Sequence, residues 1–383
     1  MKTRGNQAGK EIRVFAAASF LNDMGSDIIY PVWPLFVTEV LKANMAVLGL
    51  LDGLGEALVS LSQAASGYFS DRLRRRKVFI WTGYLCGSLS RVGYALSGAW
   101  PQLIPFRMLD RVGKIRNAPR DALVADVTTG ENRGRTFGLL RTMDNLGAVC
   151  GILLCIALLP LLGYRLLFAL ASLPSLFGAG LIFFMIHEDR GSSVKTFKGL
   201  SWREIGPSLR LYMLLSAVFA LGAFSYSFLL IAAKSFGFKT AVLPVLYLTF
   251  TATASLLSLP FGRLSDKFGR KGVLILSFFL WAAVCVGFLT LRRLVFLPGL
   301  FILYGVHKAA LEPVQRTFVS ELSPRAFRAS CLGAFQMVIG LCALPASLLA
   351  GWLWDSAGQS APFYLSLALT GVAFILLFFV KEG

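Results

Sequence analysis

The chain has 383 residues, 56% of them hydrophobic and only 15% charged, against roughly 45–50% and about 25% in soluble domains. Its mean hydropathy is +0.68, and apolar stretches of about 20 residues, each long enough to cross a bilayer as a helix, recur throughout. The net charge of +18 would point a soluble protein toward nucleic acid; here most Lys and Arg sit in the polar connections, where they orient a membrane protein, so a soluble helical protein and a nucleic-acid binder are both excluded.

Hydropathy places twelve spans, at about 14–41, 45–70, 78–98, 101–121, 138–162, 165–187, 209–232, 241–264, 272–292, 295–318, 330–352 and 360–380. The basic N-terminus MKTRGNQAGKEIR runs into the first span without a small-residue cleavage site, so no removable signal peptide is read. An even number of spans puts both termini on one side, and the basic loops make that side cytoplasmic. The expected fold is an all-α integral membrane protein, twelve helices in two pseudo-symmetric six-helix bundles, residues 1–187 and 209–383, joined by a cytoplasmic linker at 188–208.

Span one reads SFLNDMGSDIIYPVWPLF. Asp23 and Asp27 are four apart and share a helix face, with Tyr30 close to it. Pro31 and Pro34 then disturb the helix, which suits a segment that bends during gating. Span two carries Asp52 and Glu56, again four apart. The phrase GYFSDRLRRRK follows at 67–77. Span three holds Arg91, and span four holds Arg107, Asp110, Arg111 and Lys114, with residues 107, 111 and 114 forming a cationic stripe. In span five, Gly147 and Gly151 form a small-residue face for close helix packing. Span seven offers Ser225, Tyr226 and Ser227 but no acid. The phrase GRLSDKFGRK stands at 262–271, and span ten adds His307, Lys308 and Glu312. The six cysteines form no CxxC pair and no cluster with His, so neither a disulfide framework nor a metal site is read, and no cofactor is implied.

Ionisable groups inside a bilayer cost roughly 2.5–3.5 kcal/mol each on insertion scales and therefore need partners or a watery cavity. Asp23, Asp27, Asp52 and Glu56 are expected to couple protons, with Asp27 and Glu56 closest to mid-span. Tyr30, Arg91, Arg107, Lys114, Tyr226, His307 and Lys308 are expected to meet substrate. Asp126, Glu131 and Asp144 lie nearer the cytoplasmic ends and are assigned to a loop latch.

The two charged phrases are an internal repeat. Gly67, Asp71, Arg75 and Arg76 map onto Gly262, Asp266, Arg270 and Lys271 at an offset of 195 residues, and the same offset carries Arg133 to Arg328 and Gly138 to Gly333. Gly allows close helix approach, Asp accepts hydrogen bonds at a helix end, and the basic residues anchor the loop and can pair with acids. Gly67, Asp71, Arg75, Gly262, Asp266 and Arg270 are thus expected to gate.

This phrase is similar to the loop signature G-x-L-A-D-R-x-G-R-[RK] of the major facilitator superfamily (MFS). The copy from Gly262 to Lys271 fits nearly throughout, including Gly269; in the first copy Phe69 stands for Leu and Arg74 for the second Gly. RVGKI at 111–115 is similar to the family's R-x-x-Q-G pattern, with Lys114 for Gln. That resemblance ties Arg111 to proton coupling. GAVCG at 147–151 matches part of an antiporter signature, but Ile152 stands where Pro is expected. The resemblance implies a secondary active transporter, symporter or antiporter, whose two bundles rock about a central site. No phosphate-binding loop is seen, so ATP is not the expected drive; a proton gradient is.

The cationic residues of spans four and ten favour an organic anion, a carboxylate or a carboxylate-type metal chelator. The acids of spans one and two favour efflux of drug-like lipophilic or cationic compounds instead. A transporter-like receptor or scaffold without flux is a third reading, and no enzymatic arrangement is seen. The expected partners are a small-molecule substrate, protons and the lipid bilayer; the chain is expected to act as a monomer in the bacterial cytoplasmic (inner) membrane.

Overall fold

The computed structural model describes residues 2–73, 75–126, 130–186, 206–291, 293–324 and 328–381, with side chains left undescribed at 2–8, 67–68, 71–73, 125–126, 130–135 and 328–329. The described residues are helical almost throughout and trace twelve passes. Pass one is α1 (Lys2–Ile29), broken at Tyr30–Val32, then the short α2 (Trp33–Leu35) and a π-helical turn (Phe36–Val40). The break follows from Pro31 and Pro34, which lack the N–H that the ladder requires. Passes two and three are α3 (Met45–Leu73) and α4 (Arg76–Leu96). Pass four is α5 (Leu103–Val112), a 3-10 turn (Gly113–Arg116) and α6 (Asn117–Asp126). α7 (Gly130–Met185) contains passes five and six, which part at Gly163, where φ is 66°; a side chain would be strained there. Pass seven is α8 (Pro207–Gly222) plus α9 (Tyr226–Ser235). The rest are α10 (Leu243–Phe268), α11 (Arg270–Thr290), α12 (Leu297–Leu322), α13 (Arg328–Ala357) and α14 (Ala361–Phe379).

Among the described residues, eight helical segments are long and apolar enough to cross a membrane, and the one at Thr136–Met185 holds two passes. The three passes that fail this test are the first, third and fourth. They carry Asp23, Asp27, Arg91, Arg107, Asp110 and Arg111, so their charge lowers the hydropathy.

The chain divides into two compact units: the described residues of Met1–Phe36 with Leu58–Thr196, and those of Val37–Ala57 with Phe197–Gly383. In the first, α1 packs chiefly on α7, and α4 on α7 and α5. A Cβ added at Gly147 would collide with the backbone of Phe20, and one at Gly151 with the backbone of Met24. Gly147 and Gly151 therefore let α7 touch the α1 backbone, as the spacing in span five predicts. In the second unit, α10 packs on α12, α11 on α12, and α8 on α14.

Residues 37–57 join the second unit through three kinds of contact. The Asp355 carboxylate accepts hydrogen bonds from the backbone N–H groups of Met45 (3.1 Å) and Ala46 (2.8 Å), capping α3. Lys234 pairs with Glu39. Gly49 and Gly53 meet the α13 backbone at Ser347 and Leu344, and Gly351 meets Met45 in return.

Replacing Gly147 by Leu should destabilise the protein by about 1–3 kcal/mol, the usual cost of overpacking. Gly138→Ala, where a Cβ would meet nothing within 4 Å, should be neutral or stabilising, because Ala is the better helix former by roughly 0.5–1 kcal/mol. Thermal melts of the two purified variants test this contrast.

Candidate functional site

Three polar layers are stacked inside the first unit. The outermost lies where the break in pass one faces α5. Arg107, Asp110 and Arg111 are all under 10% exposed. The Arg107 guanidinium lies 4.4 Å from the centroid of the Trp33 ring, which leans on Tyr94 at 5.0 Å. That of Arg111 lies 5.2 Å from the Tyr30 ring, donates to its hydroxyl at 3.3 Å, and sits 3.6 Å from Asp110. The helical spacing of 107, 110 and 111 puts these groups on one side of α5. Lys114 follows in the 3-10 turn, half-buried, its charge reaching Asp110. The Tyr94 hydroxyl is buried here without a hydrogen-bond partner among the described residues.

Arg91 makes the middle layer. Its Nη1 donates to the Ala171 carbonyl (2.9 Å) and Ser175 Oγ (2.5 Å), and its Nη2 to Ser26 Oγ (2.8 Å) and the Asn22 carbonyl (3.3 Å). A Cβ at Gly25 would strike this guanidinium, so Gly25 makes room for it. Arg91, expected from the sequence to meet substrate, is 2% exposed, and with these four acceptors engaged it ties α1, α4 and α7 together.

The inner layer holds acids. Ser175 donates to Asn22 Oδ1 (3.0 Å), and Asn22 donates to Asp23 Oδ1 (2.8 Å). Asp23 is close enough for its charge to act on Asp144. Arg120 Nη1 lies 3.7 Å from Asp144 and donates to Ser19 Oγ at 2.6 Å, while its Nε bonds Asp121 at 3.0 Å. Asp27, half-buried on the same helix as Asp23, lies between the acid layer and Tyr30.

In the second unit, pass seven breaks at Ala223–Ser225, and Ser225 caps α9 by accepting from the Ser227 N–H at 3.3 Å. Ser225 stands 195 residues after Tyr30, so the two breaks occupy equivalent places in the repeat; interrupted helices in matching positions mark binding sites in transporters. Asp52 is buried and accepts hydrogen bonds from Ser225 Oγ (2.8 Å) and Ser227 Oγ (2.5 Å). Glu56 is exposed one turn on, and its charge acts on Lys308, which is 3.3 Å from Glu312. Half-buried Tyr226 meets Tyr247 edge-on at 5.1 Å. His307, expected from the sequence to contact substrate, is 3% exposed, and its Nδ1 lies 2.8 Å from the Ser277 carbonyl, which only accepts, so Nδ1 is the donor.

At the second charged phrase, Arg270 pairs with Asp266 at 2.5 Å and forks onto Glu321 at 2.8–3.2 Å. Glu321 was not singled out from sequence; it lies 51 residues away, and only the fold brings it in. Gly269, at φ 86°, makes the turn between α10 and α11. Close helix approach is not the reason for Gly262, where a Cβ would meet nothing within 4 Å. Lys271 donates to the carbonyls of Phe378 (2.8 Å) and Val380 (3.2 Å) and closes the end of α14. In the first phrase, Arg75 is exposed just ahead of α4, while Gly67 and Asp71, like Asp126 and Glu131, lie outside the residues whose side chains are described.

A doubled bundle plan of apolar helices, with ionised groups sealed inside and helices broken at matching points, defines a membrane transport protein. The sequence profile of the Major Facilitator Superfamily matches residues 15–249 and 212–383, and the chain belongs to that family. It is 33% identical to an uncharacterised MFS-type transporter of Methanocaldococcus jannaschii, over 97% of this chain and 95% of the relative. It is 24% identical to the multidrug resistance protein MdtH of Cronobacter sakazakii, over 91% and 88% of the two. In fold it is similar to a mutant form of the nucleoside transporter NupG, with a TM-score of 0.80 at 15% identity over 96% of this chain and 98% of that one.

Arg91→Met should leave buried acceptors unpaired and lower stability by about 1–3 kcal/mol. Arg91→Lys should rescue it only in part, because one ammonium cannot span four acceptors on two helices. Melting of both variants in detergent checks the ordering.

Proposed function

We propose that the chain is a secondary active transporter that carries a small organic anion, a carboxylate or a carboxylate-type chelator, by alternating access with protons as the coupling ion. The supporting observation is the charge in the first half of pass four: Arg107, Arg111 and Lys114 stand about one carboxylate, Asp110. That surplus of cations beside the half-buried Tyr30 is suited to an anion carrying an apolar body. Asp27, Glu56 and Asp23 are the proposed proton carriers, and Asp266 with Arg270 gates. Residues 1–187 and 209–383 act as the two moving bundles, with 188–208 as linker. Both termini face the cytoplasm, and the membrane is the cytoplasmic one.

A second reading, efflux of lipophilic or cationic compounds, draws on the likeness to the multidrug resistance protein of Cronobacter and on Asp23 and Asp27 sharing one half-buried helix face.

Thermal stability of the purified protein against citrate, benzoate and a lipophilic cation separates the two. A ligand that binds the folded state at about 100 times its Kd adds about 2.7 kcal/mol. The organic-anion reading expects stabilisation by a carboxylate and loss of that shift in Arg111→Ala. Stabilisation by the cation alone, lost in Asp27→Asn, would replace it with efflux.

A further inference from the structure

Elsewhere in the chain, sealed polar groups are met by hydrogen bonds: Arg91 donates to four acceptors, and Asp52 accepts two hydroxyl hydrogens. The outermost layer of the first unit is different. Two of its side chains, on different helices, each keep a sealed atom that makes no hydrogen bond among the described residues. These are the hydroxyl of Tyr94, 2% exposed, and Oδ2 of Asp110, 6% exposed. Asp110 Oδ2 lies 3.6 Å from Arg111 Nε, an ion pair too long to be a hydrogen bond. A buried donor or acceptor left in this state carries its full desolvation penalty, so a ligand that meets it is favoured.

The packing brings the two groups into one layer. A Cβ at Gly93 would lie 2.1 Å from the Phe106 ring, so α4 and α5 touch at the level of Tyr94 and Arg107. The Tyr94 ring lies 5.0 Å from that of Trp33, and the Arg107 guanidinium lies 4.4 Å from the same Trp33 ring. Asp110 follows Arg107 by three residues on α5, a spacing that makes side chains neighbours. Arg111 extends the layer to Tyr30, 5.2 Å from its ring centroid. The layer therefore presents guanidinium and phenol donors to a carboxylate and rings to an apolar body. It also presents one carboxylate oxygen that needs a donor. An ammonium is disfavoured in that role, because Arg107, Arg111 and Lys114 already set three cations about Asp110 and like charges repel. A hydroxyl brings the hydrogen without a charge, and its bond to a carboxylate is short and charge-assisted.

We infer that the anion this site takes is a hydroxy acid: its carboxylate accepts from the Tyr94 hydroxyl and the guanidiniums of Arg107 and Arg111, and its own hydroxyl donates to Asp110 Oδ2. Tyr94 thereby becomes a ligand contact, and Asp110 the residue that sets specificity. This inference deepens the organic-anion reading and rests on it for the carboxylate; the hydroxyl follows from Asp110. An anion of the same shape without the hydroxyl leaves Asp110 Oδ2 sealed and unmet. A site built to hydrogen-bond a substrate hydroxyl rejects such an analogue far more strongly than an apolar pocket rejects a missing methylene.

Isothermal titration calorimetry of the full-length protein in lipid nanodiscs tests this with anions that differ by one hydroxyl: citrate against tricarballylate, and 3- and 4-hydroxybenzoate against benzoate. At least one hydroxy acid should bind about 10- to 100-fold more tightly than its deoxy partner, the range set by a hydrogen bond to a charged group. Asp110→Ala should bring that ratio close to one while the deoxy partner binds at least as tightly as before, because a negative charge has been removed. Tyr94→Phe should weaken both members of a pair by the same factor and leave the ratio unchanged. Where Asp110→Ala does not fold, Asp110→Asn keeps the shape, loses the charge and should reduce the ratio. Equal binding of every pair by the unaltered protein overturns the inference and leaves the organic-anion reading standing. A ratio undiminished in the folded Asp110 variant also overturns it. Binding of no carboxylate at all overturns the inference and the organic-anion reading together.

Discussion

A guanidinium sealed among apolar helices must find hydrogen-bond acceptors, and the first unit is built around supplying four of them at Arg91. One helix supplies Ser26 and the Asn22 carbonyl, another the Ala171 carbonyl and Ser175. Gly25 gives up its side chain to admit the group. Nearby, Gly147 and Gly151 bring α7 against α1, so the acceptors lie close enough for bonds of 2.5–3.3 Å. A buried charge costs several kcal/mol unless it is paired or hydrogen-bonded. The four hydrogen bonds at Arg91 therefore fix the spacing of α1, α4 and α7, and with it the positions of the layers above and below.

The two units solve the problem of membrane polarity differently. The first is ionic: cations over aromatic rings at Arg107 and Arg111, acids around Arg120. The second is built of hydroxyls and rings, with Ser225 and Ser227 holding Asp52 and Trp281, Tyr304 and Phe219 packed about His307. Each nevertheless interrupts its first helix at the matching place. Proline causes the break in the first; in the second a serine cap starts a new helix after the gap. The repeat preserves a shape while the chemistry on it has diverged.

Much of this was legible in the sequence. Hydropathy and charge placed the twelve passes, because a helix must be about 20 apolar residues long to span hydrocarbon. Prolines 31 and 34 announced the break in pass one, and Gly147 and Gly151 the close packing. The doubled phrase led to the family. What stayed hidden depends on partners distant in the chain. Nothing near Arg91 or His307 in the sequence indicates that Ser175 and Ser277 lie within hydrogen-bond reach of them. Asp144 finds Arg120 only through the packing of α6 on α7. Residues 37–57 belong to the first half by sequence, yet glycine contacts and the Asp355 cap join them to the second unit.

The account's central claim is that anion binding and proton binding are linked within the first unit, which reciprocity makes measurable from either side. Purified protein in weakly buffered solution, with a pH-sensitive dye, reports protons taken up when citrate or benzoate is added. The account predicts uptake that saturates with the anion and disappears in Asp27→Asn, while binding of the anion persists at reduced affinity. Saturable anion binding with no proton uptake in the unaltered protein would contradict it.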